Sequence, residues 1–590
     1  MSAVPEVLTA LLDDIRADDR TDTFGKWERH GDGRWSLEIT AKLSVPASEF
    51  VPEDTAWHLV VDDSDVFIFP DREFGIQTTF QHQDFNGEIV SGRPWRYGKP
   101  CLEQPIFAFH RTEWDEEPRD LGDRMRWKIG RLLDWIDAAA SGRLVAPGDP
   151  LELPAGSGNY ATISYGFIER PEDLPAWLDR EDNWGFAKLT LMPGAKDAWY
   201  VREFDDAVGK PVRTEIWNPL LAKRRTDALA VWLRTPRLPV FEPWRMPRTW
   251  AELSQNLAEQ DVDLPAIIER AGEMHRRRSG LSSDFVLMLG FPLESRVGDQ
   301  PERLHWLAIG KLKLAGRHSG APKGLNRQVH RKTLDRDFVQ ADVRLDWRST
   351  KNWASDQIRT RGQAGKELRS KSVLVIGCGS LGGAVASNLL RMGVTQLGLF
   401  DGDRIEIGNL SRHVLTMMDI GQRKSRALGY AFEATAPDAN ISRYPYSFPP
   451  ERKDAEEIKA FDVVVDCTGD DRVLDSLASF DWGGEKLFVS LSIGWGANTM
   501  FCYAASEAMF PALDAKASFA GAPRPAGDVV MDAGREGIGC WSPVFPAGAD
   551  DMQLWAAIGT KFVRKAVLEP GRRYARYSMN EDGSVALSDA

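Results

Sequence analysis

The stretch Ser372-Val373-Leu374-Val375-Ile376-Gly377-Cys378-Gly379-Ser380-Leu381-Gly382-Gly383 decides the fold. Its first five residues are a continuous apolar run of strand length. Gly377, Gly379 and Gly382 then form a G-x-G-x-x-G, and Ala384–Met392 reads as a helix that Gly393 ends. A glycine-rich turn between strand and helix lets backbone approach phosphate closely. The helix start adds N–H donors and the positive end of a dipole. The spacing predicts a nucleotide site at the head of an α/β sheet. Working outward, Gln396–Phe400 is a second strand and Phe461–Val465 another, so strands alternate with helices as parallel pairing requires. Ser372–Leu390 carries no charge and is long enough to raise the membrane question, but its glycines favour a buried strand–loop–helix.

Asp401 ends the second strand, 24 residues after Gly377. A carboxylate there accepts hydrogen bonds from ribose hydroxyls, which suits NAD and ATP equally. The following residues discriminate. Asp401-Gly402-Asp403 is followed by Asn409-Leu410-Ser411-Arg412-His413 and by Gly421-Gln422-Arg423-Lys424. Hydride transfer has no use for such a cluster, whereas splitting a triphosphate has. Arg412 and Lys424 can stabilise charge on phosphates, and carboxylates can hold Mg²⁺. The plainer alternative is a loop bearing surface charges.

At 590 residues the chain is long enough for several domains. Its charge, 74 − 87 = −13, argues against nucleic acid as a main partner. The cysteines stand at 101, 378, 467, 502 and 540 without a C-x-x-C pair, which argues against a disulfide framework and a four-cysteine zinc site. Free thiols, and a Met1–Arg16 segment without the order of a signal peptide, point to the cytoplasm. Of 21 tryptophans, 17 lie at or before Trp353, so the two parts of the chain differ in origin.

In the first part Glu6–Asp18 reads as a helix. Trp35–Leu43, Ala56–Val61 and Val66–Phe69 read as strands, and polar Phe80–Pro100 as a long loop ending at Cys101. Asp123–Ala140 has helical apolar spacing, and Pro154–Gly158 reads as a linker. From 159 to 355 short strand-like runs occur at Phe186–Met192, Ala228–Leu233, Phe285–Leu289 and Trp306–Ile309, without a chemical motif. Arg276-Arg277-Arg278 reads as a solvated helix end.

Residues 372–470 resemble the adenylation domain of the ubiquitin-activating and ThiF/MoeB superfamily. The matching stretches are VLVIGCGSLGG, LGLFDGDRIEIGNLSRH, GQRKS and VVVDCTGD. The resemblance lays the glycine loop along ATP and gives Asp401 the ribose. It gives phosphate handling to Asn409, Arg412 and Lys424. The family's Mg²⁺ ligand after D-x-T is Gly469 here, leaving Asp470 or Asp471 to stand in. The family's paired zinc motifs are absent, so no structural zinc is expected.

Residues 57–154 are similar to a prokaryotic ubiquitin-conjugating domain, through Phe69-Pro70, a loop bearing His82 and Asn86, and G-x-x-C-L ending in Cys101-Leu102. The usual His-Pro-Asn is replaced by His82-Gln83-Asp84-Phe85-Asn86, which puts Asn86 farther from the cysteine. His82 is either a site residue or a satisfied loop histidine. Lys99 and Arg96 are cations that would lower the Cys101 pKa.

Activating enzymes pass an acyl group to a thiolate. Cys378, Cys467 and Cys502 read as small core residues. Cys540, in Gly537-Ile538-Gly539-Cys540-Trp541-Ser542-Pro543, sits in a loop before a helix-like Asp551–Val567, where an acyl acceptor could move between sites. For Cys540 and Cys101 alike, core packing is the alternative to nucleophile.

The whole resembles the activating–conjugating fusions of bacterial anti-phage CBASS operons. The expected architecture is an α+β conjugating-like domain over 1–157, a mixed middle domain over 158–355 and a Rossmann-like α/β adenylation domain over 356–590. The implied activity is ATP- and Mg²⁺-dependent. The C-terminus of a cGAS-like nucleotidyltransferase or ubiquitin-like protein is adenylated, loaded on Cys540, moved to Cys101 and joined to a target lysine by a homodimeric enzyme. The chain's own last residues lack Gly-Gly, which disfavours a modifier fused in cis. An NAD-dependent oxidoreductase, a sulfur-carrier-protein adenylyltransferase and a non-catalytic ATP-binding scaffold are the alternatives.

Overall fold

A computed structural model describes residues 4–23, 25–62, 65–102, 116–154, 164–215, 217–278, 284–316, 322–520, 535–536, 542–543 and 545–589. They divide into two compact units, Met1–Glu215 with Thr226–Asn352, and Ile216–Arg225 with Trp353–Ala590.

The first unit opens with helix α1 (Glu6–Ala17), which buries Leu8, Leu11 and Ile15 at helical spacing. An antiparallel sheet follows: β1 (Thr21–Thr23), β2 (Glu28–Arg29), β3 (Trp35–Lys42), β4 (Asp54–Asp62) and β5 (Asp65–Pro70). The spatial order is β1-β3-β4-β5, with β2 also on β3. Helix α2 (Leu121–Ala140) is capped by Asp120, which accepts the Asp123 N–H. Its Met125, Leu132, Trp135 and Ile136 share one core with Leu37, Ile39, Trp57 and Ile68 of the sheet. Between β5 and α2, residues up to Pro100 form only isolated bridges, Asp71 to Trp95, Gln83 to Pro100 and Ile89 to Arg96. The long-loop reading therefore holds. The linker expected at Pro154–Gly158 lies, from residue 155 on, outside the described residues.

The middle of the chain holds more strands than the sequence reading found. They are β6 (Ser164–Phe167), β7 (Trp184–Leu191), β8 (Ala198–Asp206), β9 (Pro211–Thr214), β10 (Ala228–Arg234), β11 (Asp284–Leu293), β12 (Arg303–Lys313) and β13 (Asp346–Asn352). The order is β6-β13-β12-β11-β10-β7-β8-β9, and β6 also pairs with β8. That extra pairing closes the sheet on itself, as a barrel does. Trp232 and Trp306 on its strands pack with Trp177 and Phe204, the rings of Phe204 and Trp306 stacking at 4.8 Å. Alternate residues such as Val231, Leu233 and Leu287 join a separate core with Trp250, Leu253 and helix α3 (Leu264–Arg278). The tryptophan enrichment thus has a physical origin, because large rings fill a small closed sheet.

Arg276 corrects one expectation. It is not solvated: Nη1 donates to Asp335 Oδ2 at 2.6 Å, and Asp335, on helix α4 (Arg327–Phe338), is fully buried. A buried carboxylate requires a paired cation, which overrides the tendency of an arginine run to face water.

In the second unit β14 (Val373–Ile376) leads through the glycine turn into α5 (Ser380–Arg391). Then come β15 (Gln396–Phe400), α6 (Lys424–Thr435), β16 (Asn440–Tyr444), β17 (Val463–Asp466), α7 (Asp471–Ser479), β18 (Lys486–Ile493) and β19 (Thr499–Glu507). A short pair, β20 (Arg535–Glu536) and β21 (Ser542–Pro543), precedes α8 (Ala549–Leu568), β22 (Arg573–Met579) and β23 (Val585–Asp589). The order is β16-β15-β14-β17-β18-β19-β22-β23, parallel as far as β18 and antiparallel beyond. Taken alone, the parallel strands run 3-2-1-4-5, so the order reverses between β14 and β17, where open α/β sheets bind ligands. Helix α5 begins at Ser380, four residues earlier than its periodicity predicts. Gly382 and Gly383 are buried in its first turns, where their small size lets the helix lie against the loop. No helix among the described residues is long and apolar enough to cross a membrane.

Residues 217–222 belong to this unit although the chain reaches them from the other. Asn218 donates from Nδ2 to the carbonyls of Glu433 and Ala436, at 2.6 and 2.8 Å, and from its backbone to Pro437 O at 2.8 Å. It caps the C-terminal end of α6, whose first residue is Lys424. Removing a donor from two buried carbonyls costs about 1–3 kcal/mol. Asn218→Ala is therefore expected to lower the unfolding free energy of the second unit by that amount, read as a lower urea midpoint, and an unchanged midpoint would contradict the capping role.

Candidate functional site

The end of β14 and the end of β17 meet at Gly377. Its φ is 83°, and a side chain there would meet Thr468 Cγ2 at 2.8 Å, so only glycine fits. A Cβ on Gly382 would collide with the Gly377 carbonyl, whereas one on Gly379 would meet nothing within 4 Å. Gly379 is the N-cap of α5 and offers no side-chain acceptor, so the first N–H groups of the helix face an open cradle. An anion suits that position.

Asp401 joins the loop to the next strand. Its Oδ2 accepts the Cys378 N–H at 2.7 Å and its Oδ1 the Asp403 N–H at 2.7 Å. Each oxygen keeps a further lone pair for a ribose hydroxyl. Burial raises the Asp401 pKa against the opposing pull of its hydrogen bonds and of Lys424. Lys424 opens α6, with its Nζ 3.1 Å from Asp403 Oδ2 and its N–H on Asp403 O at 2.8 Å. Gly377, Gly379, Gly382, Asp401, Asp403 and Lys424 are thus gathered by contiguous contacts. The donors and carboxylates present fit a nucleotide polyphosphate.

The other predicted residues have different partners. Asn409 Oδ1 accepts the Glu406 N–H at 3.0 Å and caps the turn Ile407–Ser411. Arg412 Nη1 donates to Phe545 O at 2.6 Å, and its guanidinium lies 5.8 Å from the Phe545 ring centre. Asp470 caps α7 by accepting the Arg472 N–H at 2.9 Å, and pairs with the Arg472 guanidinium at 2.6 Å. That hydrogen bond and charge hold its carboxyl below the usual range.

Two residues of the matching stretches, to which the sequence gives no separate role, support the loop. His413 is buried; its Nδ1 accepts the Leu415 N–H at 3.1 Å, so Nε2 carries the hydrogen and donates to Cys378 O at 2.9 Å. Asp466 accepts from Thr468 Oγ1 at 2.7 Å and from Ser490 Oγ at 2.9 Å, fixing the threonine that faces Gly377. Each is one more polar residue in a polar loop or strand end, and only the contacts of the fold distinguish it.

Cys101 lies across from His82, whose carbonyl accepts the Cys101 N–H at 2.7 Å. Asn86 is fully buried, with Nδ2 donating to Ile76 O and Thr78 O at 2.6 and 2.9 Å. Both amide hydrogens are used in the loop, so Asn86 has none for an oxyanion. Arg96 is buried, with Nη1 on Gln77 Oε1 at 2.9 Å and Nη2 on Asn86 O at 3.0 Å. Lys99 Nζ stands 5.7 Å from the Phe67 ring centre. Cys378 and Cys502 are fully buried, and Cys467 packs against the same core, as expected. Cys540 lies outside the described residues.

Comparison with known proteins bears on this geometry. A model described as the Cap2 central linker domain matches residues 142–353, and the ThiF family model matches 353–476. An ATP-dependent ubiquitin transferase-like protein, Cap2 of Enterobacter hormaechei subsp. hoffmannii, is 44% identical over 588 residues, 99% of this chain and 98% of that one. The chain belongs to the Cap2 family. Cap2 of Vibrio cholerae serotype O1 is 31% identical over 178 residues, 29% of each chain. The sulfur carrier protein adenylyltransferase of Thermus thermophilus is 35% identical over 113 residues, 19% of this chain and 41% of that one. The match to Cap2 therefore extends over the N-terminal and middle regions, whereas this adenylyltransferase aligns with only a fifth of the chain.

Within this family member, His413 makes the glycine loop sensitive to acid. Burial lowers its pKa below the ordinary 6.5, outweighing the hydrogen bond to Cys378. Stability from a base depressed in the folded state is present above pH 6.5 and is lost as pH falls below it. His413→Gln is expected to destabilise the second unit at about pH 7.5 and to lie closer to wild type at about pH 5.5. A gap in urea midpoint that does not change with pH would contradict this.

Proposed function

We propose that this chain is an ATP-dependent ligation relay that joins the C-terminal carboxylate of a partner protein to a target lysine in anti-phage defence. The carrying observation is the meeting of an open helix N-terminus, Asp401 and the Lys424–Asp403 pair at one switch point. A carboxylate is a poor electrophile, and joining it to AMP supplies a good leaving group. The Gly377–Gly382 backbone holds the phosphates, and Asp401 takes the ribose. Lys424, Arg412 and Asn409 stabilise phosphate charge. Mg²⁺ would be held by Asp470 with phosphate oxygens, which requires Asp470 to leave Arg472.

The Cys540 thiolate then takes the acyl group and releases AMP. Cys101 takes it by thioester exchange, and a lysine amine ends the relay as an amide. The order of α1, the antiparallel β3–β5, a long loop carrying the cysteine, and α2 supports a ubiquitin-conjugating-like domain over 1–157. The middle domain then spans 158–355 and the activating domain 356–590. The partner is a cGAS-like nucleotidyltransferase or a ubiquitin-like protein, and the compartment is the cytoplasm. Homodimerisation through the activating domain is supported by Ile407, Met417 and Met418, which are 71%, 70% and 80% exposed beside half-exposed Val414 and Ile420. Clustered exposed apolar side chains mark association surfaces.

Three outcomes test this. Arg412→Ala is expected to cut donor-dependent ATP–pyrophosphate exchange about 100-fold or more; exchange at the wild-type rate would remove Arg412 from the reaction. With Cys540→Ala, neither cysteine should carry a thioester, whereas with Cys101→Ala a thioester should accumulate on Cys540. Intact mass spectrometry without reductant reads both states, and a loaded Cys101 in the Cys540→Ala protein would overturn the order. Met417→Asp with Met418→Asp should convert a dimer, by light scattering, into a 66.0 kDa monomer.

A further inference from the structure

Two loop segments run antiparallel beside Cys101. The Cys101 N–H donates to His82 O at 2.7 Å, the Asp84 N–H to Lys99 O at 2.9 Å, and Gln83 bridges Pro100. The pairing sets His82 opposite Cys101, as neighbours across the two segments. His82 is thus the residue with a titratable side chain that is paired with Cys101. Helix α2 holds the pair from behind: Trp135 Nε1 donates to His82 O at 3.2 Å and Arg131 Nε to Leu102 O at 3.0 Å.

His82 sits at φ 53°, in the left-handed region that costs a residue with a Cβ about 1–2 kcal/mol. Glu152 secures it there. The same oxygen, Oε2, accepts the His82 backbone N–H at 3.1 Å and stands 3.0 Å from Nδ1. Burial alone would raise the Glu152 pKa, but the bonds from His82 outweigh it and hold the carboxyl below its ordinary value. An ionised carboxylate only accepts, so Nδ1 carries the ring hydrogen and Nε2 keeps its lone pair. A loop histidine satisfied merely as structure needs neither that strained backbone nor a carboxylate fixing its tautomer.

We propose that His82 is the general base of the amide-forming step at Cys101, with Glu152 as its positioning residue. The proposal rests on the reading of Cys101 as an acyl carrier. The amine nitrogen of the target attacks the thioester carbonyl carbon. The C–N bond forms and the C–S bond breaks. The proton leaving nitrogen passes to His82 Nε2 and then to the departing Cys101 sulfur, so the site returns as thiol and neutral imidazole. Glu152 stabilises the imidazolium between the two transfers. The other charged groups on the paired segments are Asp84 and Lys99, with Arg96 and Arg131 buried behind them.

The test uses the full chain and a glycylglycine thioester of mercaptoethanesulfonate, which acylates thiols by exchange without ATP. Acyl-Cys101 is quantified by peptide mapping, then chased with free lysine over a pH series. His82→Asn is the informative variant, because asparagine tolerates the left-handed backbone but offers no titrating nitrogen. Acylation of Cys101 should persist, while amide formation should fall about 100-fold and the lower inflection of its pH profile should disappear. Glu152→Gln keeps an acceptor for the His82 N–H but removes the charge, and should shift that inflection to lower pH. Aminolysis in His82→Asn within about twofold of wild type, or an unchanged inflection, would overturn the proposal. So would acylation and aminolysis slowed alike, the mark of a structural role. Wild-type Cys101 that takes no acyl group would instead overturn the carrier reading on which the proposal stands.

Discussion

The candidate nucleotide site depends on one steric constraint, the closeness of the first glycine-loop residue to the end of β17. Gly377 is pressed against Thr468 with a positive φ, and Gly382 leaves no room for a side chain beside the Gly377 carbonyl. The loop can be this tight because β14 is fully buried between β15 and β17. Tightness turns the N–H groups at the head of α5 into a fixed cradle. Asp401 and His413 then bind the loop from either side of Cys378, one at its N–H and one at its carbonyl. A single residue, Cys378, therefore links Asp401, the loop and the segment that carries Arg412.

Helix α6 extends that dependence across the unit. Its first residue is Lys424, and its last carbonyls are held by Asn218, a residue reached only by leaving one unit and entering the other. A cap at one end of a helix fixes the helix along its axis, and so fixes where the lysine at the other end can stand.

The sequence announces this site because its chemistry is local. The glycine spacing, the strand before it and Asp401 all fall within 30 residues, and each has a periodicity or residue type that little else requires. What was illegible is long-range. Asn218 and Glu152 are ordinary polar residues until the fold sets them against Glu433 and His82. The barrel escaped because its strands alternate large rings with aliphatics on two buried faces, and such strands lose the polar alternation that marks a surface strand. Arg276 was misread for a related reason: its carboxylate partner Asp335 lies 59 residues away, on another helix.

Burial also sorts the thiols. Cys378 lies inside the phosphate loop and Cys467 packs beside it, closer in sequence to the nucleotide site than either proposed acceptor. Desolvation pushes both thiols well above their ordinary pKa, and the nearby Asp401 and Asp466 charges add to the shift. Cys502 is raised by burial alone. A thiol held protonated is a poor nucleophile. The core thus silences three of the five cysteines by the same exclusion of water that builds the sheet. On the proposed relay, an activated acyl group formed beside the glycine loop would pass the sulfurs nearest to it and react with a thiol that retains access to solvent or to a base.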